Sequence, residues 1–243
     1  MGLLESLQKT AQSAVDLAVA VFSNQAPSPV VKCPAPRPAP KKTNPTTGLG
    51  NSVDKIIGKS PKFTKKIKDL QADGWKIQYG AAGKGTYVDK KAKTIVIDSN
   101  QKKNANEAVT SLAHEAGHAG YNNKYTPPTG LKKEEYVKAN VKDNLADEGE
   151  ATLTNIELKR DLKANGGPDI TVAGAHAGEY EKIYDKYPDP KDRQKARDEI
   201  GDTFATKERP STAPDKTYNE YYSKTYEDFY DKNVTGKSGG AKK

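Results

Sequence analysis

Several things are scarce in this sequence, and each shortage removes a class of molecule. Cysteine occurs once, at Cys33, so neither an intramolecular disulfide framework nor a cysteine-only zinc site holds the fold. Apolar residues make up 34 % of the 243 positions and the mean hydropathy is -0.89, which implies that part of the chain does not pack into a core. No run is long and apolar enough to span a bilayer, so no transmembrane segment is expected. No secretory leader is expected either: in LLESLQKTAQSAVDLAVAVF the first charge is Glu5 instead of a cationic region, and Asp16 stands in its middle. Aromatic residues are sparse where lysine is dense, with only Phe63, Trp75, Tyr79 and Tyr87 scattered through that stretch. That spacing does not make a stacking platform, so no nucleic acid is expected.

What is present is unevenly distributed. The net charge is +8, yet fifteen lysines face five aspartates between Lys41 and Lys103 alone. Such a field favours acidic partners, whether anionic lipid, nucleic acid (against which the sparse aromatics argue), cell-wall polymer or acidic protein, or else it is a solvated face. The length suits one domain with appendages. Residues 1–24 place Leu3, Leu4, Leu7, Ala11, Ala14, Val15, Ala18 and Phe22 at helical spacing, an amphipathic helix. Its start, MGLLES, also fits the short N-myristoylation pattern through Gly2 and Ser6. A proline-rich linker over 25–50 follows, in which APSPVVKCPAPRPAPKKTNP holds seven of the fifteen prolines and reads as a semi-rigid polyproline-like spacer. Cys33 sits inside it, either an incidental thiol or a ligand able to fold back onto a metal.

The remainder, 51–232, reads as an α+β domain, mostly helical, with a small antiparallel sheet. Two short helices broken at Gly58 and Pro61 come first and end at Gly74. WKIQY, GKGTYVD and KTIVID supply about three strands. Asn104 caps a helix with Ala105, Ala108, Val109, Leu112, Ala113 and Ala116 on its apolar side. A long helix runs from about Lys132 to Asn165 and stops at Gly166, Gly167 and Pro168. AGEYEKIYDKY and TYNEYYSKTYEDFYDK are further helices whose tyrosines pack on helix faces. Residues 233–243 form a basic tail.

Within the capped helix stands AHEAGHA. Residues four apart share a helix face, so His114 and His118 aim two imidazoles at one point, as a tetrahedral zinc ion requires of two ligands. Glu115, next to the first, is placed to take a proton from a water at that point. With three histidines and fourteen glutamates in the chain, chance produces H-E-x-x-H with a frequency of only about 0.2 %, which favours a metal site over a coincidence of polar residues. A third ligand from a neighbouring helix is needed, and LADEGEATLTNIEL offers carboxylates.

HEAGH followed by DEGEAT resembles the gluzincin class of zinc metallopeptidases. In its aminopeptidase branch a glutamate on a second helix, often within N-E-G-x-A, completes the site. The resemblance implies that Glu148 is the third ligand, with Asp147 in place of the asparagine. Glu150 is the alternative, and the two lie about 200° apart on a helix, so only one can face the metal. The thirty residues from His118 to Glu148 make a longer gap than the compact thermolysin-like arrangement. The class also commonly places a histidine or tyrosine against the developing oxyanion, which points to His176 and Tyr180, at i and i+4, with Tyr121 behind them. The implied reaction is hydrolysis of a peptide bond by a zinc-activated water with Glu115 as general base, the substrate peptide pairing with the edge of a sheet at KTIVID.

More broadly, a small domain of this kind behind a short helix and a proline-rich segment is similar to the metallopeptidase toxin domains of bacterial polymorphic toxins and type VI secretion effectors. That resemblance implies a loading segment for the secretion apparatus and a cognate immunity protein as partner. It places the chain in the producer's cytoplasm, from which it enters the periplasm or cytoplasm of a target cell without a Sec signal. Two other readings compete: a zinc amidase acting on cell-wall peptides, and a non-catalytic binding module that uses the lysine-rich face.

Overall fold

The computed structural model describes residues 45–122, 125, 130–210 and 212–234. The expected N-terminal helix, Cys33 with most of the proline-rich linker, and the tail from 235 onward lie outside the described residues. Packing begins upstream of the first helix, where Pro45, Thr47 and Leu49 are buried.

Helix α1 (Asn51–Ile57) and helix α2 (Pro61–Ala72) follow each other closely. Ser60 caps α2 by accepting a hydrogen bond from the Phe63 amide at 3.1 Å, and Pro61 occupies the first helical position. Phe63, Ile67 and Leu70 fall on one face and are buried, each contributing about 2 kcal/mol of transfer free energy.

The sheet comprises β1 (Lys76–Tyr79), β2 (Tyr87–Asp89) and β3 (Thr94–Ile97) in the order β1-β3-β2. It is mixed, which corrects the antiparallel expectation: β2 pairs antiparallel with β3, but β1 pairs parallel with it, Lys76 beside Thr94 and Tyr79 beside Ile97. Successive strands do reverse direction; the third inserts between the first two. Composition explains the order. Ile95, Val96 and Ile97 are all buried, as a central strand requires, while β1 alternates buried and exposed positions as an edge does. KTIVID is therefore the middle strand and not the free edge expected from the sequence. That edge is β2.

Helix α3 (Ala105–Gly120) follows the sheet, with Asn104 accepting from the Glu107 amide at its start. Helix α4 (Lys133–Ala164) has 32 residues and is about 48 Å long. Helices α5 (Ala177–Lys186), α6 (Arg193–Lys207) and α7 (Tyr218–Asn233) complete the chain. The fold is thus mostly helical α+β. Helix α6 lies outside the expected set of elements, although Ala196, Ile200 and Phe204 are buried at four-residue spacing.

Three hydrophobic clusters share α4. Its C-terminal third, through Leu158 and Leu162, joins the sheet and α1 to α3. The middle, through Leu153 and Ile156, packs with Tyr180, Ile183, Ile200 and Phe204. The first third, through Tyr136, Val137, Val141 and Leu145, packs with Tyr222 and Tyr226 of α7. A helix with neighbours on several sides buries residues all round, as α4 does between Leu145 and Leu158.

Candidate metal centre

The crossing of α3 and α4 sets the site, and one glycine sets the crossing. Gly117 lies between the two histidines, and a Cβ there would fall 2.3 Å from the Ala151 Cα. The absent side chain lets the helices approach closely enough for a glutamate on α4 to reach the imidazoles of α3. Gly149 repeats the device on the other side of α4, where a Cβ would sit 2.2 Å from the Arg197 carbonyl oxygen on α6.

At the crossing, His114 Nε2 and His118 Nε2 are 3.2 Å apart, and Glu148 Oε2 is 3.5 Å from each. Three donor atoms that prefer to accept therefore converge, all within 4.8 Å of one another. Neutral imidazoles and a carboxylate repel in this arrangement unless a proton or a metal cation lies between them, and the donor set fits a metal ion. Glu150 is not part of it. Its carboxylate turns away and binds the Arg193 guanidinium at 2.7 Å, which decides between the two glutamates on helical phase alone.

A second layer holds the donors. His118 Nδ1 donates to Asp147 Oδ1 at 2.9 Å, which leaves its Nε2 lone pair facing the convergence point. Asp147 in turn accepts from Lys90 Nζ at 2.7 Å, from the turn between β2 and β3. Tyr222 on α7 donates to Glu148 Oε1 at 2.8 Å and so presents the other oxygen to the histidines. Sequence reasoning missed Lys90 and Tyr222, whose contacts bridge separations of 57 and 74 residues, and gave Asp147 no task of its own. Only Asp147 carried a local signal, as the neighbour of Glu148.

Electrostatics follow from burial. Desolvation works against the Glu148 charge, yet His118 and His114 hold its carboxyl far below the usual range. Asp147 is likewise held low against desolvation by Lys90 and His118. Burial draws His118 down, but Asp147 and Glu148 overcome it and keep the imidazole well above its ordinary value. A bound cation would take the place of that proton. Glu115 is buried, and desolvation raises its carboxyl despite the nearby imidazoles.

These residues line a cleft of about 120 Å³ together with Thr86, Tyr87 and Val88 of the β2 edge, and Tyr218 and Tyr222 of α7. It has room for a small group and a water, not for an organic cofactor. A larger groove, about 740 Å³, runs between α4, α6 and α7 and contains none of the site residues.

The structure does not bring the expected oxyanion donors here. Tyr180 is fully buried in the α5–α6 cluster and donates to Glu208 Oε1 at 2.9 Å. The His176 amide donates to the same oxygen, and its ring faces Glu179 at 3.3 Å. Both belong to the joint between α5 and the end of α6: helix phase turns Tyr180 into the core, while His176, the residue before α5, stays half-exposed beside Glu179. Tyr121 stands just past the motif, its ring between Lys90 at 5.6 Å and Arg197 at 5.5 Å. The phenols that do line the cleft are Tyr87, Tyr218 and Tyr222, the last engaged with Glu148. No family model, curated protein or solved structure matches the chain.

Proposed function

We propose that the chain is a zinc-dependent peptidase whose active site is the α3–α4 crossing. The carrying observation is the convergence of His114 Nε2, His118 Nε2 and Glu148 Oε2 within 4.8 Å, with Glu115 buried beside them and a strand edge along the same cleft. Two imidazoles and one carboxylate suit zinc among the common divalent ions. Zinc held there would supply Lewis acidity, polarising a carbonyl and making a water acidic near neutral pH.

The protein's own groups do the rest. Asp147 fixes the tautomer of His118, and Tyr222 fixes the free oxygen of Glu148. Glu115 takes the proton of the attacking water and returns it to the leaving nitrogen. Tyr218 lines the cleft and would donate to the oxygen of the tetrahedral intermediate, the role expected of His176 and Tyr180, which hydrogen-bond Glu208 instead and do not line it. An extended peptide would pair through its main chain with β2, which gives affinity with little sequence selectivity.

The test uses wild type and Glu115→Gln. Purified wild type should carry about one zinc per chain by atomic absorption and generate new protein termini in a whole-cell lysate. Glu115→Gln should keep the zinc and generate none. Protein that holds no zinc and binds none added ends the proposal. The effector reading extends it: expression of wild type in a bacterial periplasm or cytoplasm should arrest growth where Glu115→Gln does not.

A further inference from the structure

The cleft does not end at the metal centre. Lys90, Asn144 and Asp147 line it and also line a wider basin of about 630 Å³. That basin carries Lys62, Lys65 and Lys66 from α2 and Lys93 from the turn between β2 and β3. Its aspartates are already engaged: Asp69 by Lys65, Asp73 by Lys93, Asp143 by the Tyr121 hydroxyl, and Asp147 by Lys90 and His118. Among the described residues, Lys62 and Lys66 have no carboxylate at ion-pair distance. Lys66 Nζ donates only to Thr154 Oγ1, at 3.3 Å. The pairs Lys65–Asp69 and Lys93–Asp73 are exposed, and pairs of that kind exchange partners readily.

The charge of the whole chain points the same way. Residues 51–103 hold thirteen lysines against five aspartates, whereas 104–234 hold nineteen basic against twenty-five acidic residues. The cleft lies where the basic part, through β2 and Lys90, meets the acidic helices. A chain laid along it therefore meets opposite fields at its two ends.

We infer that the basin is a substrate-binding extension of the cleft that takes a polypeptide segment bearing carboxylate side chains on one side of the bond to be cut, with Lys62 and Lys66 as the selecting residues. The inference rests on the peptidase reading of the cleft and narrows it to acidic substrates. Desolvation of Lys66 lowers its pKa, with Glu150 opposing, so an anion beside it restores stabilisation that burial removed. Electrostatic complementarity of this kind acts on encounter and on partner choice.

The probes are two fluorescein-labelled peptides, identical except for glutamates in one and glutamines in the other, titrated into full-length Glu115→Gln protein by fluorescence anisotropy. The acidic peptide should bind about tenfold more tightly at low ionic strength, and its advantage should shrink as salt screens the basin. Adding Lys62→Gln and Lys66→Gln should remove the advantage while far-UV circular dichroism and zinc content stay unchanged. If Lys66→Gln disturbs folding, Lys62→Glu at its exposed position should by itself reduce the preference. Equal affinities for the two peptides, or a preference that survives both Lys62 variants, overturns the inference. A single-stranded oligonucleotide that displaces the acidic peptide and binds more tightly overturns it in favour of nucleic acid. The two proposals separate on wild-type protein. Lysine-dependent binding with neither peptide cut sinks the peptidase and leaves the acidic site. Cleavage of both peptides with equal KM does the reverse.

Discussion

At the scale of single residues, the site divides into atoms that meet at one point and atoms that aim them. On the proposed peptidase reading, Glu115→Gln should lower kcat by about a thousandfold with metal content unchanged, the size expected when a general base is lost; zinc-loaded protein and a quenched peptide measure it. Asp147→Asn keeps the shape but weakens the grip on the His118 tautomer, so zinc affinity should fall between about tenfold and a hundredfold in a chelator competition. Tyr222→Phe acts through Glu148 in the same assay, and Glu150→Gln should leave affinity untouched because its partner is Arg193. What sequence could give at this scale follows the reach of its periodicities. His114, Glu115 and His118 share one helix, so 3.6-residue geometry alone places them. Glu148 needed a partner helix and a choice of phase, which the resemblance supplied and the Arg193 pairing explains. Tyr222 and Lys90 lie on other elements and have no local mark. His176 and Tyr180 had the right chemistry and spacing, but the face they occupy is decided by Glu208.

At the scale of elements, contact distances control the geometry. Gly117→Ala pushes a methyl against the Ala151 backbone, where neither helix can yield by rotating a side chain. The expected cost is about 2–3 kcal/mol of stability, read by urea unfolding, together with loss of zinc, since α3 must withdraw from Glu148. The β2 edge has its own anchor in Asp98, whose carboxylate accepts from the amides of Gly83 and Gly85 in the loop entering β2 and from that of Asn100. The amide of Asn100, then those of Gly85 and Gly83, hold its pKa below the ordinary value despite desolvation. A depressed carboxylate stabilises the fold above its unfolded pKa, so this contribution is intact at neutral pH and disappears as pH falls below about 4. Asp98→Asn should lower Tm at pH 7 and flatten the decline of Tm on acidification. Most helices were legible because their caps and apolar spacing are local. The order of strands was only half legible: the unbroken burial of Ile95, Val96 and Ile97 marks a central strand, but alternation of direction suggests a meander just as well. Helix α6 escaped because its buried face is five residues set among charges, Ala196, Ile200, Gly201, Phe204 and Ala205, and Gly201 matters only through its close approach to Leu145.

At the scale of the whole molecule, the three converging donors and the fold are linked through α4. A cation that binds only the native crossing raises stability by mass action, so saturating zinc should raise Tm and a chelator should reverse the rise; no shift in differential scanning fluorimetry would mean that the three donors hold nothing. Because α4 contributes to all three hydrophobic clusters, no core among the described residues is independent of it. Regions that open separately in hydrogen exchange usually own separate cores. Here the amides along α4, from Leu145 to Leu162, should exchange as one class with the free energy of global unfolding. The backbone amides of α4 beneath the three donors, near the middle of that helix, are then among the last to exchange with solvent.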